Sequence, residues 1–157
     1  MTAWAAAALG SCLATLTACG VSVPDAWADF VPKDNLTMAF GDETTGDVSK
    51  VVLNYTREDL PGDKLRGQFT GLIEKKGFTN VSECVDPNGT SSALYVSDSK
   101  EVFQVIINLL GDTMYDVELQ RSKGQPGIVL PNPETCKWTA GADKFCEMGP
   151  PERCKFK

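Results

Sequence analysis

The alternation of apolar and polar residues predicts a group of β-strands in the middle of the chain. The first is VSKVVLNYT at 48–56, where β-branched and aromatic side chains alternate with polar ones. Asp86-Pro87-Asn88-Gly89 has the residue preferences of a type I turn and separates two later strands. The later predicted strands are 78–85, 93–98, 101–109 and 114–120.

One helix is predicted between the first two strands. Pro61 suits its first turn and Gly77 suits its C-terminal cap. The apolar residues at helical spacing are Leu65, Phe69, Leu72 and Ile73. The order β-α-β-β-β-β therefore predicts a small α+β fold, with one helix packed on a mostly antiparallel sheet. The predicted core residues are Val52, Leu94, Val96, Phe103, Val105 and Ile107.

The N-terminal region has a different pattern, because its first charged side chain is Asp25. The residues from 4 to 23 are apolar or small. A run of about 20 apolar residues is long enough to span a bilayer. The many Gly, Ser and Thr residues make this run weakly hydrophobic, which favours a signal-peptide core followed by a cleavage region.

Within that region, Leu16-Thr17-Ala18-Cys19 resembles the lipobox of bacterial lipoproteins. The resemblance implies cleavage after Ala18, a diacylglycerol on the Cys19 thiol and a further acyl chain on its new amine. Three acyl chains exceed the two signals that stable membrane anchoring generally needs. Gly20, where an Asp would favour retention in the inner membrane, implies the outer membrane.

Two other interpretations of the same segment stay open. Ala26-Trp27-Ala28 is an A-x-A site, so ordinary secretion would proceed by cleavage after Ala28. Alternatively, the apolar segment is an uncleaved membrane anchor. With the lipoprotein interpretation, the predicted divisions are a signal peptide at 1–18, a lipidated N-terminus and tether at 19–47, an α+β domain at 48–121, and a Cys-rich C-terminal extension at 122–157.

Four cysteines follow the signal region, namely Cys84, Cys136, Cys146 and Cys154. An even number of cysteines in an exported chain predicts two disulfides, with three possible pairings. We expect Cys84 to connect the C-terminal extension to the main domain. No C-x-x-C pair is present, which disfavours a four-thiolate zinc site, and no metal or other cofactor is predicted.

The composition limits the chemistry that the chain can perform. Histidine is absent, so Ser-His and Cys-His nucleophile pairs and histidine metal ligands are excluded. The formal charge is −6 and the longest basic run is Lys75-Lys76, so nucleic-acid binding is not expected. The chain has four N-x-S/T sequons, at Asn35, Asn54, Asn80 and Asn88. They keep a glycosylated secretory protein as a minority hypothesis.

These observations predict a lipoprotein of the outer membrane, and they leave open whether its domain lies on the periplasmic side or on the cell surface. Its domain is expected to bind an envelope protein or to support the envelope, not to catalyse a reaction. Two alternatives are kept: a secreted, soluble binding domain, and a histidine-free hydrolase-like enzyme that uses paired carboxylates. A deep cleft with two acidic residues would favour the enzyme. An exposed apolar patch or an open sheet edge would favour a binding domain.

Overall fold

A computed structural model describes residues 21–123 and 136–147 and shows one antiparallel sheet. The strands follow the order β1-β2-β6-β5-β4-β3-β7, and every neighbouring pair is antiparallel. The elements are β1 (Leu36–Thr45), β2 (Val48–Thr56), α1 (Gly62–Lys75), β3 (Phe78–Val85), β4 (Ser91–Ser97), β5 (Glu101–Leu110), β6 (Met114–Lys123), β7 (Cys136–Trp138) and α2 (Ala142–Cys146).

The helix α1 connects two strands that are not neighbours in the sheet. Strands β6, β5 and β4 lie between β2 and β3, so α1 must cross the sheet on one face. It buries Leu65, Phe69 and Ile73, which confirms the predicted helix, whereas Leu72 of the predicted apolar set is only partly buried. Gly77 has a φ of +85°, a left-handed conformation that favours glycine, directly after the helix.

The two faces of the sheet differ in whether α1 covers them. The helix face is the one covered by α1, and it carries Val51, Leu53 and Phe103. The second face carries the alternate residues of the same strands, such as Val52 and Gln104. The two ends are named by their turns: residues 46–47, 76–77 and 98–100 form the lower end, and residues 57–61, 86–90 and 111–113 form the upper end.

The predicted α+β fold with one helix on a mostly antiparallel sheet is confirmed, but the predicted element order is incomplete. Residues 36–45, which were assigned to a tether, form the edge strand β1. This strand was missed because Gly41 and two register shifts in its pairing with β2 interrupt the alternation. The C-terminal extension also contributes β7 and α2, which were not predicted.

The residues preceding β1 also pack against the sheet. The segment begins at the lower end, where Arg121 donates a hydrogen bond to the Ala26 carbonyl at 3.3 Å. It reaches the upper end at Asn35, whose carbonyl accepts a hydrogen bond from the Thr56 amide. Residues 23–35 therefore run along the helix face, and we call them the N-terminal segment.

Most predicted core residues are buried, with one correction. Leu94, Val96, Phe103, Val105 and Ile107 are all buried as predicted. Val52 is only partly buried, because Val51 and Leu53 point to the helix face and Val52 therefore points to the other. Consecutive valines do not reveal which of the two belongs to the core face.

Candidate functional site

The N-terminal segment supplies aromatic side chains to the largest apolar cluster. The Trp27 side chain is 1% exposed and packs edge-on against Phe103 with ring centroids 5.8 Å apart. Phe30 contacts Phe78 edge-on, with ring centroids 6.2 Å apart, and Phe103 with tilted rings, at 5.0 Å. The buried residues Val23, Trp27 and Phe30 are spaced by about one helical turn. This spacing was the feature of the sequence that could have indicated a packed N-terminal segment.

Arg121 holds the N-terminal segment from the sheet side. Its guanidinium carbon lies 5.9 Å from the Trp27 ring centroid and 5.2 Å from that of Phe30, both within cation–π range. Its Nε and Nη2 atoms lie 2.8 Å and 2.6 Å from the same carboxylate oxygen of Glu101. Arg121 therefore uses the planar face, the charge and the hydrogen-bond donors of its guanidinium within the domain.

A second ion pair fixes the same segment at the lower end. The ammonium of Lys76 lies 2.6 Å from Asp29, and it holds the pKa of that carboxyl below its usual value. The pair is exposed, so solvent screens it and its contribution to stability is small. It nevertheless places Asp29 beside the turn that follows α1.

A cleft of about 400 Å³ opens at the lower end beside Trp27. Its walls combine two carboxylates, Asp47 and Glu101, with two cations, Arg121 and Lys123. Glu101 is already paired with Arg121, so this carboxylate is not free to act as an isolated acid or base. The remaining lining residues are Ala26, Trp27, Thr44, Gly46, Ser49 and Ser122.

The second face carries cross-strand polar pairs between β2 and β6. Lys50 lies 2.5 Å from Glu118, and Gln120 donates a hydrogen bond to the same carboxylate. The Asn54 amide donates to Asp116 at 3.0 Å. Asn54 is 7% exposed and its amide nitrogen is engaged, so this sequon position is not available to a glycan.

The sheet has an exposed apolar edge on the same face. Among residues 21–123 and 136–147, β1 pairs only with β2, so its outer edge has no strand beside it. Met38 and Phe40 of β1 lie opposite Asn54 and Val52 of β2. They are 45% and 47% exposed, which is high for such large apolar side chains.

The C-terminal extension is bound to the other edge of the sheet. A disulfide joins Cys84 of β3 to Cys136 of β7, which confirms the expected connection to the main domain. Trp138 stacks on Phe145 of α2 with centroids 6.0 Å apart. Both pack on a second, smaller apolar cluster formed by Val81, Leu94, Val96 and Val102.

A close backbone contact positions α2. Gly141 lies so near β3 that a Cβ atom there would be 2.4 Å from the Asn80 carbonyl oxygen. The Thr139 hydroxyl also donates to that oxygen at 2.6 Å. The register of β3 shifts between Asn80 and Ser82, so the extension packs where this strand is irregular.

Several predicted site residues lie outside the described part of the chain. These are the lipobox residues Leu16, Thr17, Ala18 and Cys19, together with Cys154 and the side chain of Cys146. Within residues 21–123 and 136–147, no three His, Cys, Asp or Glu side chains are grouped so as to hold a metal ion. In the same ranges, no helix combines the length and the apolar character needed to cross a membrane.

Comparisons of the chain with protein-family models, with curated proteins and with solved structures find no match.

Proposed function

We propose that the protein is a lipoprotein of the cell envelope, anchored in the outer membrane by acylated Cys19. Its α+β domain binds a partner protein and does not catalyse a reaction. The observation that carries the proposal is the burial of Trp27 in the main apolar cluster. This residue lies between the two competing cleavage sites, after Ala18 and after Ala28.

The two cleavage sites have different consequences for the fold. Cleavage after Ala28 would remove Val23 and Trp27, which are 7% and 1% exposed. It would also remove the Ala26 carbonyl that accepts a hydrogen bond from Arg121. Removing a buried Trp side chain typically costs about 3–5 kcal/mol. Cleavage after Ala18 keeps all of these contacts, which favours the lipobox over secretion.

The edge formed by β1 supports the binding part of the proposal. A partner's extended segment can add to an open strand edge through main-chain hydrogen bonds, and exposed apolar side chains then provide specificity. Strand β1 offers both features, since Met38 and Phe40 lie exposed along an edge without a neighbouring strand in the described residues. Register shifts such as the two in β1 usually discourage pairing at an edge, so the regular stretch at 38–40 between them is the part that a partner strand could use.

The enzyme alternative rests on the lower-end cleft, where Asp47 and Glu101 share the lining. The ion pair between Glu101 and Arg121 weighs against it, because a general acid must be able to release and regain its proton. If the alternative holds, Asp47→Asn and Glu101→Gln would each abolish hydrolysis in a screen of ester and glycoside substrates. Binding of a partner would then be unaffected.

The proposal is tested by the intact mass of the protein purified from bacterial membranes, alongside Cys19→Ala and a control, Cys12→Ala, which changes the other cysteine of the N-terminal region. We expect a chain that begins at Cys19 and carries acyl groups, in the wild type and in Cys12→Ala. Cys19→Ala should lose the lipid and accumulate unprocessed. An unmodified chain beginning at Asp29 would contradict the lipid anchor and support secretion. A chain that retains the first 18 residues and carries no lipid would also contradict the lipid anchor, and it would support an uncleaved membrane anchor.

A further inference from the structure

The chain between Cys19 and the folded domain is very short. Val23 is already buried in the main apolar cluster, only four residues after Cys19. Four fully extended residues span at most about 14 Å. If Cys19 carries the lipid, as proposed above, the domain must therefore lie close to the headgroups of the bilayer, without a long spacer.

The N-terminal segment begins at the lower end of the sheet. The Ala26 carbonyl is bonded to Arg121, which lies two residues before the end of β6. Asp29 is paired with Lys76 in the turn between α1 and β3. The anchor therefore connects to the lower end, whereas a nine-residue strand such as β2 places the upper end about 30 Å away.

The two ends also differ in charge. The turns of the lower end, the residues that flank them and the last residue of β6 hold four basic and three acidic side chains, Lys75, Lys76, Lys100, Lys123, Asp47, Asp98 and Glu101. The turns of the upper end hold one basic and four acidic side chains, Arg57, Glu58, Asp59, Asp86 and Asp112. An anionic lipid surface attracts nearby Lys and Arg and repels acidic groups over about a Debye length.

From the tether length and the charge distribution, we propose that the lower end of the sheet rests on the anionic phospholipid headgroups around the anchor. The exposed lysines Lys75, Lys100 and Lys123 face the phosphates. The acidic upper end, with the exposed apolar side chains of Val85, Leu109 and Leu110, points away from the bilayer. This orientation rests on the proposed acylation of Cys19.

The test uses the acylated full-length protein, with its mass verified, in vesicles of phosphatidylcholine and phosphatidylglycerol. Single cysteines are introduced by Ser99→Cys at the lower end and Thr113→Cys at the upper end. Both replace exposed hydroxyl residues in hairpin turns, so the pair is matched. Each introduced cysteine is labelled with a fluorophore, and its quenching by an acceptor on the lipid headgroups is measured. The unsubstituted protein, treated in the same way, controls for labelling of the native cysteines.

Quenching should be stronger at position 99 than at position 113 by about threefold or more, because roughly 30 Å of sheet separates the two turns. Lys100→Glu combined with Lys123→Glu should reduce quenching at position 99 in anionic vesicles. The control pair Lys64→Glu and Lys137→Glu, away from the lower end, should leave it unchanged. High salt should weaken the contrast.

The failure of the orientation and the failure of the anchor are distinguishable. Equal quenching at both positions, or stronger quenching at 113, in protein whose mass shows the lipid would overturn the orientation and leave the anchor intact. A mass without lipid would overturn both proposals together. An unchanged signal after reversal of Lys100 and Lys123 would refute the role assigned to the lower-end lysines.

Discussion

The two faces of the sheet differ in how completely they are covered by apolar groups. On the helix face, α1 and the N-terminal segment bury one cluster of 20 residues that extends across β2, β6, β5 and β4. On the second face, the apolar cluster has five buried residues and is restricted to the β3 side, beneath Trp138. Farther along, this face carries the pairs formed by Lys50 with Glu118 and Asn54 with Asp116.

The difference indicates that the two faces contribute unequally to the stability of the fold. Burial of apolar area is the main stabilising term in folding, so the helix face contributes most of the stability. The ion pair between Lys50 and Glu118 on the second face is partly exposed and contributes little. Met38 and Phe40, on the β1 side of that face, are therefore exposed without weakening the core, as the proposed partner binding requires.

The largest effect is expected from Trp27→Ala. It should lower the free energy of unfolding by about 3–5 kcal/mol, because it removes a buried indole and leaves a cavity against Phe103. Chemical denaturation of a chain that begins at residue 20, without the signal region and the lipid, measures the change. The matched control is Trp138→Ala in the smaller cluster, where a partly exposed ring should cost less. A larger loss from Trp138→Ala would reverse the ranking of the two faces.

The next effect concerns the disulfide that attaches the C-terminal extension to the second face. Cys84 and Cys136 are 52 residues apart, and the loop-entropy relation gives about 4 kcal/mol for such a closure. We expect the double variant Cys84→Ser and Cys136→Ser to lose about 3–4 kcal/mol of stability in denaturant titrations. Cys146→Ser serves as the control. A stability equal to that of the wild type would show that Trp138 and Phe145 suffice to hold the extension.

A smaller, pH-dependent effect is expected from Tyr95, which faces α1 and bonds to Thr70 at 2.7 Å. Burial raises the pKa of Tyr95 to about 12, above the ordinary tyrosine value of about 10. A raised pKa contributes stability that is complete below pH 10 and is lost as the pH rises towards 12. Tyr95→Phe should cost about 1 kcal/mol at neutral pH and should reduce the loss of stability above pH 10.

Thr70→Val separates the two contributions of Tyr95. It removes the same hydrogen bond but keeps the titrating hydroxyl, so the alkaline loss of stability should persist. Thermal unfolding between pH 9 and pH 12 provides the comparison. Identical alkaline profiles for the wild type and Tyr95→Phe would exclude Tyr95 as a source of the effect.

The smallest effect is expected at the exposed edge. Phe40→Asn should change the free energy of unfolding by less than about 1 kcal/mol, because nearly half of this side chain is already in water. The measurement is the same denaturant titration. A loss as large as that of Trp27→Ala would mean that Phe40 belongs to a buried core, and β1 would then be unsuitable as a binding edge.

Several features of the fold could be predicted from the sequence because their signals are local. The spacing of Leu65, Phe69 and Ile73 predicted α1. Asp86 to Gly89 predicted a turn, which is closed by a hydrogen bond from the Gly89 amide to the Asp86 carbonyl. The number of cysteines predicted disulfide pairing, although it left three pairings open.

The packing of the N-terminal segment and the cleft beside Trp27 were less predictable, because they depend on contacts between distant residues. Arg121 and Ala26 are 95 positions apart, and nothing in either local sequence indicates that they meet. The segment that contains Trp27 has turns and Pro residues, which in isolation are typical of a linker. Its apolar side chains become informative only when a sheet is present to receive them.

The sequence by itself determined the α+β class, the position of α1 and most of the strands, because periodicity and turn chemistry act over a few neighbouring residues. It also supplied the lipobox resemblance on which the proposed anchor depends. Only the tertiary structure decided that the N-terminal segment belongs to the core, that Cys84 pairs with Cys136, and that β1 forms an open edge. These features depend on the long-range pairing of strands and on burial, which no local pattern specifies.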